Sequence, residues 1–248
     1  MTQLTFRRLA LLAAAPLALA ACDSKPETPG ELPQGEAIAA IPAPAGTAWT
    51  DKVTVSPENG FVLGNPDAPV KLVEYASHTC SHCAQFSNEA HEPLAKYVDT
   101  GVVSYELRNL FLNPYDLVIA RLVRCAPPEA AHPLSVQVWA DLEQIFAGFN
   151  ANQAALQQAS TLPPAQRLQA MGEASGLVDF FAARGISRDQ AMQCLADQPK
   201  AEALVQASQK QATDLGVTGT PTFFLNGARV DGAVWSVIEP ALKAAGAR

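Results

Sequence analysis

The chain has 248 residues, 48% of them hydrophobic, and a formal net charge of -7. That is enough apolar material for one large domain or a domain carrying an insertion. The acidic balance, with no basic run to neutralise phosphates, argues against a nucleic-acid partner. No Gly-rich phosphate loop, Gly-x-Ser-x-Gly elbow or His-Glu-x-x-His motif occurs, so those chemistries lack their parts.

Residues 1–21 read as an export signal: Arg7 and Arg8 form the charged region, and the apolar run after them is too short to span a bilayer. The run ends Leu19-Ala20-Ala21-Cys22, which resembles a bacterial lipobox and implies cleavage before Cys22 and lipidation of its thiol. The mature chain would then carry 15 basic against 24 acidic residues. It would sit in the periplasm, anchored to a membrane through Cys22. Four cysteines remain, Cys80, Cys83, Cys125 and Cys194, in a compartment where disulfides persist. Residues 22–50 contain Pro26, Pro29, Pro33, Pro42 and Pro44 and little to bury. They are expected to be a flexible tether with a reach on the order of 30 Å.

Val53-Thr54-Val55 reads as an edge strand and Asn65-Pro66-Asp67-Ala68-Pro69 as a turn. Residues 70–75 are β-branched and apolar enough for a short buried strand. Cys80-Ser81-His82-Cys83 follows, and then Phe86, Ala90, Leu94 and Tyr97 recur at helical spacing. Pro93 is expected to kink that helix. A strand is predicted over 102–110. Asn113 and Pro114 then supply a cap and a first helical residue, with Val118, Leu122 and Cys125 on one face. From Pro127-Pro128 to about Val205 the pattern is helical only. Gly185 stops one helix, Ser187 and Gln190 form a capping box for the next, and Ala191, Cys194 and Leu195 share its apolar face. Gly219-Thr220-Pro221 opens an apolar strand that Asn226-Gly227 turns into a hairpin. A last helix is predicted from about Ala233, interrupted or restarted near Pro240.

The chemistry concentrates at Cys80 and Cys83. A strand-to-helix turn puts the first thiol at a helix N-terminus, where free N–H groups and the dipole favour an anion. His82, between the two, is positioned for its imidazole to stabilise a Cys80 thiolate. On its own a C-x-x-C is also half a zinc site or a plain staple. His78, Cys80, His82 and Cys83 together offer soft ligands to copper or zinc. His91 and His132 have no partner in the sequence and read as surface residues. Cys125 and Cys194 lie on the apolar faces of two helices of one block, and a structural disulfide between them is expected.

Cys80-x-x-Cys83 after a strand, Glu74 six residues before it, and Thr220-Pro221 opening a distant strand resemble the DsbA-like thiol–disulfide oxidoreductases of the thioredoxin superfamily. The resemblance runs from about Val53 to the C-terminus. It implies an α/β thioredoxin fold (51–114 and 206–248) with an inserted helical domain (115–205). In such a protein Cys80 attacks and leaves, Cys83 resolves, Glu74 is a buried acid that relays protons, and Pro221 follows a cis peptide against the active site. No cofactor or metal is implied. The partners are reduced exported proteins and a membrane protein that resets the disulfide. Thr220 is more like the isomerase branch than the oxidases, where valine is frequent. The Pro-rich tether occupies the place of an isomerase dimerisation module, which favours a monomeric oxidase.

Overall fold

The computed structural model describes residues 35–248. The export signal, Cys22 and the first part of the tether lie outside the described residues.

Six strands make one sheet. They are β1 (Val53–Val55), β2 (Phe61–Gly64), β3 (Val70–Ala76), β4 (Val103–Asn109), β5 (Thr222–Leu225) and β6 (Ala228–Arg229), in the order β1-β2-β4-β3-β5-β6. β3 is central because its residues are apolar on both faces: Val70, Leu72, Tyr75 and Ala76 are all buried. It pairs parallel to β4 and antiparallel to β5, so Glu74 lies between Leu107 and Phe223. The parallel pairing needs a crossover, which is helix α1 (Ser81–Asp99). Its Phe86, Ala90, Leu94 and Val98 pack on Val70, Leu72, Val103 and Phe223. β2 was not expected; its four residues are too few to show a period, and pairing with β1 and β4 defines it.

Seven further helices, all before the hairpin, are α2 (Pro114–Val123), α3 (Ala131–Ala140), α4 (Leu142–Ala151), α5 (Gln153–Ser160), α6 (Pro164–Ala174), α7 (Leu177–Ala182) and α8 (Arg188–Ala196). Their core gathers Val118, Leu122, Val138, Ile145, Leu177 and Phe181 and reaches Phe61 of the sheet. An eighth, α9 (Gln198–Leu215), continues past the expected boundary at 205 and leads to the β5–β6 hairpin. The last helix, α10 (Trp235–Ala244), is not interrupted at Pro240, and α1 likewise runs through Pro93. Buried Ile238 and Leu242 hold α10 against the core on both sides of the proline, so packing outweighs one lost hydrogen bond.

The described part of the tether is not a free arm. Residues 35–50 lie along the domain: Gly35 and Ile38 donate to the carbonyls of Ala244 and Gly246 (3.1 and 2.9 Å), and Ile41 donates to that of Thr100 (2.8 Å). Trp49 donates from its indole to the Ile41 carbonyl at 2.7 Å. The close approach needs Gly101, at φ +72°, where a Cβ would stand 2.3 Å from the Ile41 oxygen and 2.4 Å from the Trp49 indole nitrogen. Composition showed the prolines but not that Ile38, Ile41 and Trp49 give the segment something to bury.

Cys125 and Cys194 are joined by a disulfide, with Cα atoms 6.0 Å apart. It ties the turn after α2 to α8 and is half-buried at the edge of the block, not in its core. The Ser187–Gln190 box is only half formed. Ser187 Oγ accepts from the Gln190 N–H, but the Gln190 side chain donates to the Cys125 carbonyl at 2.7 Å. Closing a loop across 69 residues contributes about 4 kcal/mol in the chain-entropy model. Replacing both cysteines by alanine is therefore expected to lower the melting temperature by roughly 10 °C while leaving the Cys80–Cys83 potential unchanged. Thermal melts and glutathione equilibration of the double variant check this. A shifted potential would contradict it.

Candidate active site

Cys80 is the residue immediately before α1, in extended conformation (φ -89°, ψ 121°), with its side chain 9% exposed. Cys83 is one turn further and fully buried; both are free thiols. As a thiol Cys80 does not cap the helix; ionised, it becomes the acceptor that a helix N-terminus lacks. Its pKa is lowered to about 5, chiefly because the Cys83 thiol donates to it. Burial opposes this, while the Thr220 side chain and the N–H groups of Cys83 and His82 add to it. The same contacts invert for Cys83, whose thiol is pushed far above the ordinary range by burial, then by donating to Cys80 and by the charge of Glu74. Two thiols one turn apart thus have opposite characters: Cys80 leaves easily, and Cys83 holds its proton.

Thr220 and Pro221 close the other side. Their peptide bond is cis, and the Cys80 thiol donates to the Thr220 carbonyl at 3.3 Å. The Thr220 hydroxyl is buried with no partner among the described residues, and so can donate to an ionised Cys80.

Glu74 lies beneath the pair, 1% exposed. Its Oε2 accepts a short hydrogen bond from the Tyr105 hydroxyl, and its Oε1 has no partner among the described residues. Burial raises its pKa to about 8, although the bond from Tyr105 works the other way. A carboxyl near neutrality whose charge is felt by Cys83 is suited to move a proton on or off that buried sulfur.

Two expectations about histidines are corrected. The His82 ring is exposed and makes no hydrogen bond among the described residues; what His82 gives Cys80 is its backbone N–H. His132 is not at the surface but buried, with Nε2 2.9 Å from the Phe61 carbonyl and its ring 5.2 Å from that of Tyr105. His91 is exposed. His78, offered above as a metal ligand, is buried against Trp139 with Nε2 2.9 Å from Ser135 Oγ. Burial keeps its ring neutral, with a pKa lowered to about 3. It is committed to the helical block, and the four residues are not gathered round one point.

Sequence reasoning missed Tyr105, Trp139 and Asp116. Trp139 of α3 packs with Cys80 and Cys83 and donates to the Ser77 carbonyl at 3.0 Å. Asp116, three residues after Asn113, is readable as a helix-capping acid, but not as a partner of the turn before Cys80. No local motif points any of the three at the thiols; each reaches the site through the tertiary fold.

A thioredoxin-type sheet with a C-x-x-C at the head of its first long helix defines the class of protein. The thioredoxin family model matches residues 56–242, and the chain belongs to that family. Over 187 residues it is 30% identical to a protein of Rickettsia typhi provisionally named a protein-disulfide oxidoreductase, covering 75% of this chain and 62% of that protein. The chain thus spans less than two thirds of that relative's length. Among solved structures, it is similar to a protein-disulfide isomerase from Novosphingobium aromaticivorans (29% identity, TM-score 0.68, 73% of this chain and 94% of that one). It also resembles a variant of alpha-DsbA1 from Wolbachia pipientis (25% identity, TM-score 0.52, 67% of this chain and 74% of that one).

Proposed function

We propose that the protein is a thiol–disulfide oxidoreductase that introduces disulfides into exported proteins through Cys80–Cys83. The observation that carries this reading is the asymmetry of the pair: a sulfur at the helix head with a pKa near 5 beside a fully buried one that keeps its proton. With the pair oxidised, a substrate thiolate attacks Cys80 Sγ and the Cys80–Cys83 bond breaks. The electron pair goes to Cys83, which takes a proton from Glu74. A second substrate thiolate then attacks the substrate sulfur of the mixed disulfide, and Cys80 leaves as a stabilised thiolate. The substrate has lost two electrons, which a membrane redox partner must remove to reset the pair. The protein works as a monomer.

The test is catalysed oxidation of a reduced, multi-cysteine substrate. Wild-type protein should accelerate it, Cys80→Ser should not, and Cys83→Ser should accumulate a mixed disulfide on Cys80. Full activity in Cys80→Ser would end the proposal. A second reading, isomerase or reductase, is favoured by Thr220 and by the name of the Novosphingobium protein. Faster reshuffling of a scrambled substrate than oxidation of a reduced one would establish it instead. Copper handling finds no support, because His78 is turned to Ser135 and Trp139.

The proposed setting is the periplasmic face of a membrane, with the domain held by lipidated Cys22. It rests on Leu19-Ala20-Ala21-Cys22. Mass spectrometry of protein from its native membrane should find Cys22 as the N-terminus, bearing at least two acyl chains, since one gives only reversible binding. An unacylated mature form would overturn it.

A further inference from the structure

We propose that Asp116, supplied by the helical block, is a positioning residue for the Cys80–Cys83 pair: its carboxylate fixes the turn 77–79 and, through Ser77, the surroundings of both sulfurs. This deepens the exchange reading above and rests on it.

Asp116 is 1% exposed, and its carboxylate accepts five hydrogen bonds. Oδ2 takes the N–H groups of Leu112 and Asn113 (2.8 and 3.3 Å), as a residue in the first turn of a helix does when it caps the chain entering it. The start of α2 is already served, because Asn113 Oδ1 accepts from the N–H groups of Tyr115 and Asp116. Capping therefore accounts for Oδ2 and leaves Oδ1 unexplained. Oδ1 takes three donors, all from the two residues flanking His78: Ser77 Oγ at 2.7 Å, Thr79 N at 2.9 Å and Thr79 Oγ1 at 2.9 Å. Asn113 reinforces the same turn, its amide donating to Thr79 Oγ1 at 2.7 Å. Burying a carboxylate is costly unless its lone pairs are filled, so the donors are held as firmly as the acid.

Ser77 passes this rigidity to the thiols. It is 1% exposed, and its carbonyl accepts from the N–H of Cys80 at 3.3 Å and from the Trp139 indole at 3.0 Å. Its own backbone N–H acts to lower the pKa of the Cys83 thiol. Moving Ser77 by a few tenths of an ångström shifts Cys80 against its stabilising N–H groups and Cys83 against its backbone donor together. The turn is clamped on its other flank by His78, between Ser135 and Trp139. The helical block thus contacts the active-site turn from α2 and α3 at once.

A simple staple between α2 and the turn would stabilise oxidised and reduced protein alike, leaving the chemistry of Cys80 untouched. An effect of charge alone has the opposite sign to positioning, since removing a nearby anion makes a thiolate easier to form. The experiment is the pH profile of alkylation of Cys80 by iodoacetamide in the reduced full chain, mapped by mass spectrometry. In Asp116→Asn the thiol pKa should rise by about one unit, so that alkylation at pH 5 becomes roughly fivefold slower. Ser77→Ala should show a smaller rise, and the double variant less than the sum of the two. An unchanged or lowered pKa in folded Asp116→Asn, or strict additivity with Ser77→Ala, would overturn the proposal. If Asp116→Asn does not fold, Ser77→Ala decides alone, an unchanged profile counting against. Alkylation needs no disulfide partner. Wild-type protein that fails to oxidise substrate, yet shows the Asp116-dependent pKa, would end the exchange reading and keep this one. Working exchange with an unmoved pKa would do the reverse.

Discussion

Glu74→Gln is expected to make the protein more stable at pH 8, by a few kcal/mol, and to flatten its stability between pH 5 and pH 8. Glu74 is buried on the central strand, and its pKa stands at about 8 against 4.5 for the free side chain. Between those two values the native protein holds a proton that the unfolded chain has lost. The unfolded state then binds fewer protons, so stability falls as pH rises through that window and levels off above it. Each unit of difference corresponds to about 1.36 kcal/mol. Glutamine keeps an oxygen for the Tyr105 hydroxyl and carries no charge to desolvate. Urea unfolding at pH 5 and pH 8 reads the effect directly: the wild type should lose stability between the two, and the variant should not. Parallel pH profiles would show that Glu74 is ionised in the native state. The same variant should slow exchange, because Cys83 loses its proton donor, so stability gained and rate lost should appear together.

The second large effect concerns Cys80. Its thiol has a pKa of about 5 against 9.0 unperturbed, and only the reduced protein has that thiol to titrate. Here the native state holds fewer protons than the unfolded one. Reduced protein therefore gains stability as pH rises from 5 to 9 and loses it as pH falls through 5. At pH 7 the gain is about 2.7 kcal/mol at most, since solvent reaching the sulfur screens part of it. Converted to a potential, that is about 60 mV of oxidising power. Reduced protein should melt above oxidised protein at pH 7, and the gap should shrink at pH 4.5. The Glu74 contribution is shared by both redox forms and largely cancels in this difference. An oxidised form that melts higher at pH 7 would mean that the thiolate is not stabilised.

The parts of the site legible in sequence were those written as local patterns. A C-x-x-C between an apolar strand and an amphipathic run had to stand at a helix N-terminus, and Asn113-Pro114 had to start a helix. Glu74 was found six residues ahead of Cys80, but only its neighbours on β4 and β5 show why it is buried. The imidazole of His82 was the natural candidate to stabilise a thiolate. The fold turns that ring to solvent and uses the N–H instead, which every residue type but proline possesses. His132 looked like surface because its partners, the Phe61 carbonyl and the Tyr105 ring, come from strands about 71 and 27 residues away. The tether misled for a similar reason: composition reports how much can be buried, not that Gly101 leaves room for Ile41 and Trp49.

The reduction potential of Cys80–Cys83, measured by equilibrating the pure protein with glutathione buffers at pH 7, tests the central claim most directly. A value clearly more oxidising than the −270 mV or so of thioredoxin is expected, with an advantage over an ordinary dithiol that shrinks as pH falls from 7 to 5 and levels off below. A potential at or below that of thioredoxin would contradict a disulfide donor and make the protein a reductase.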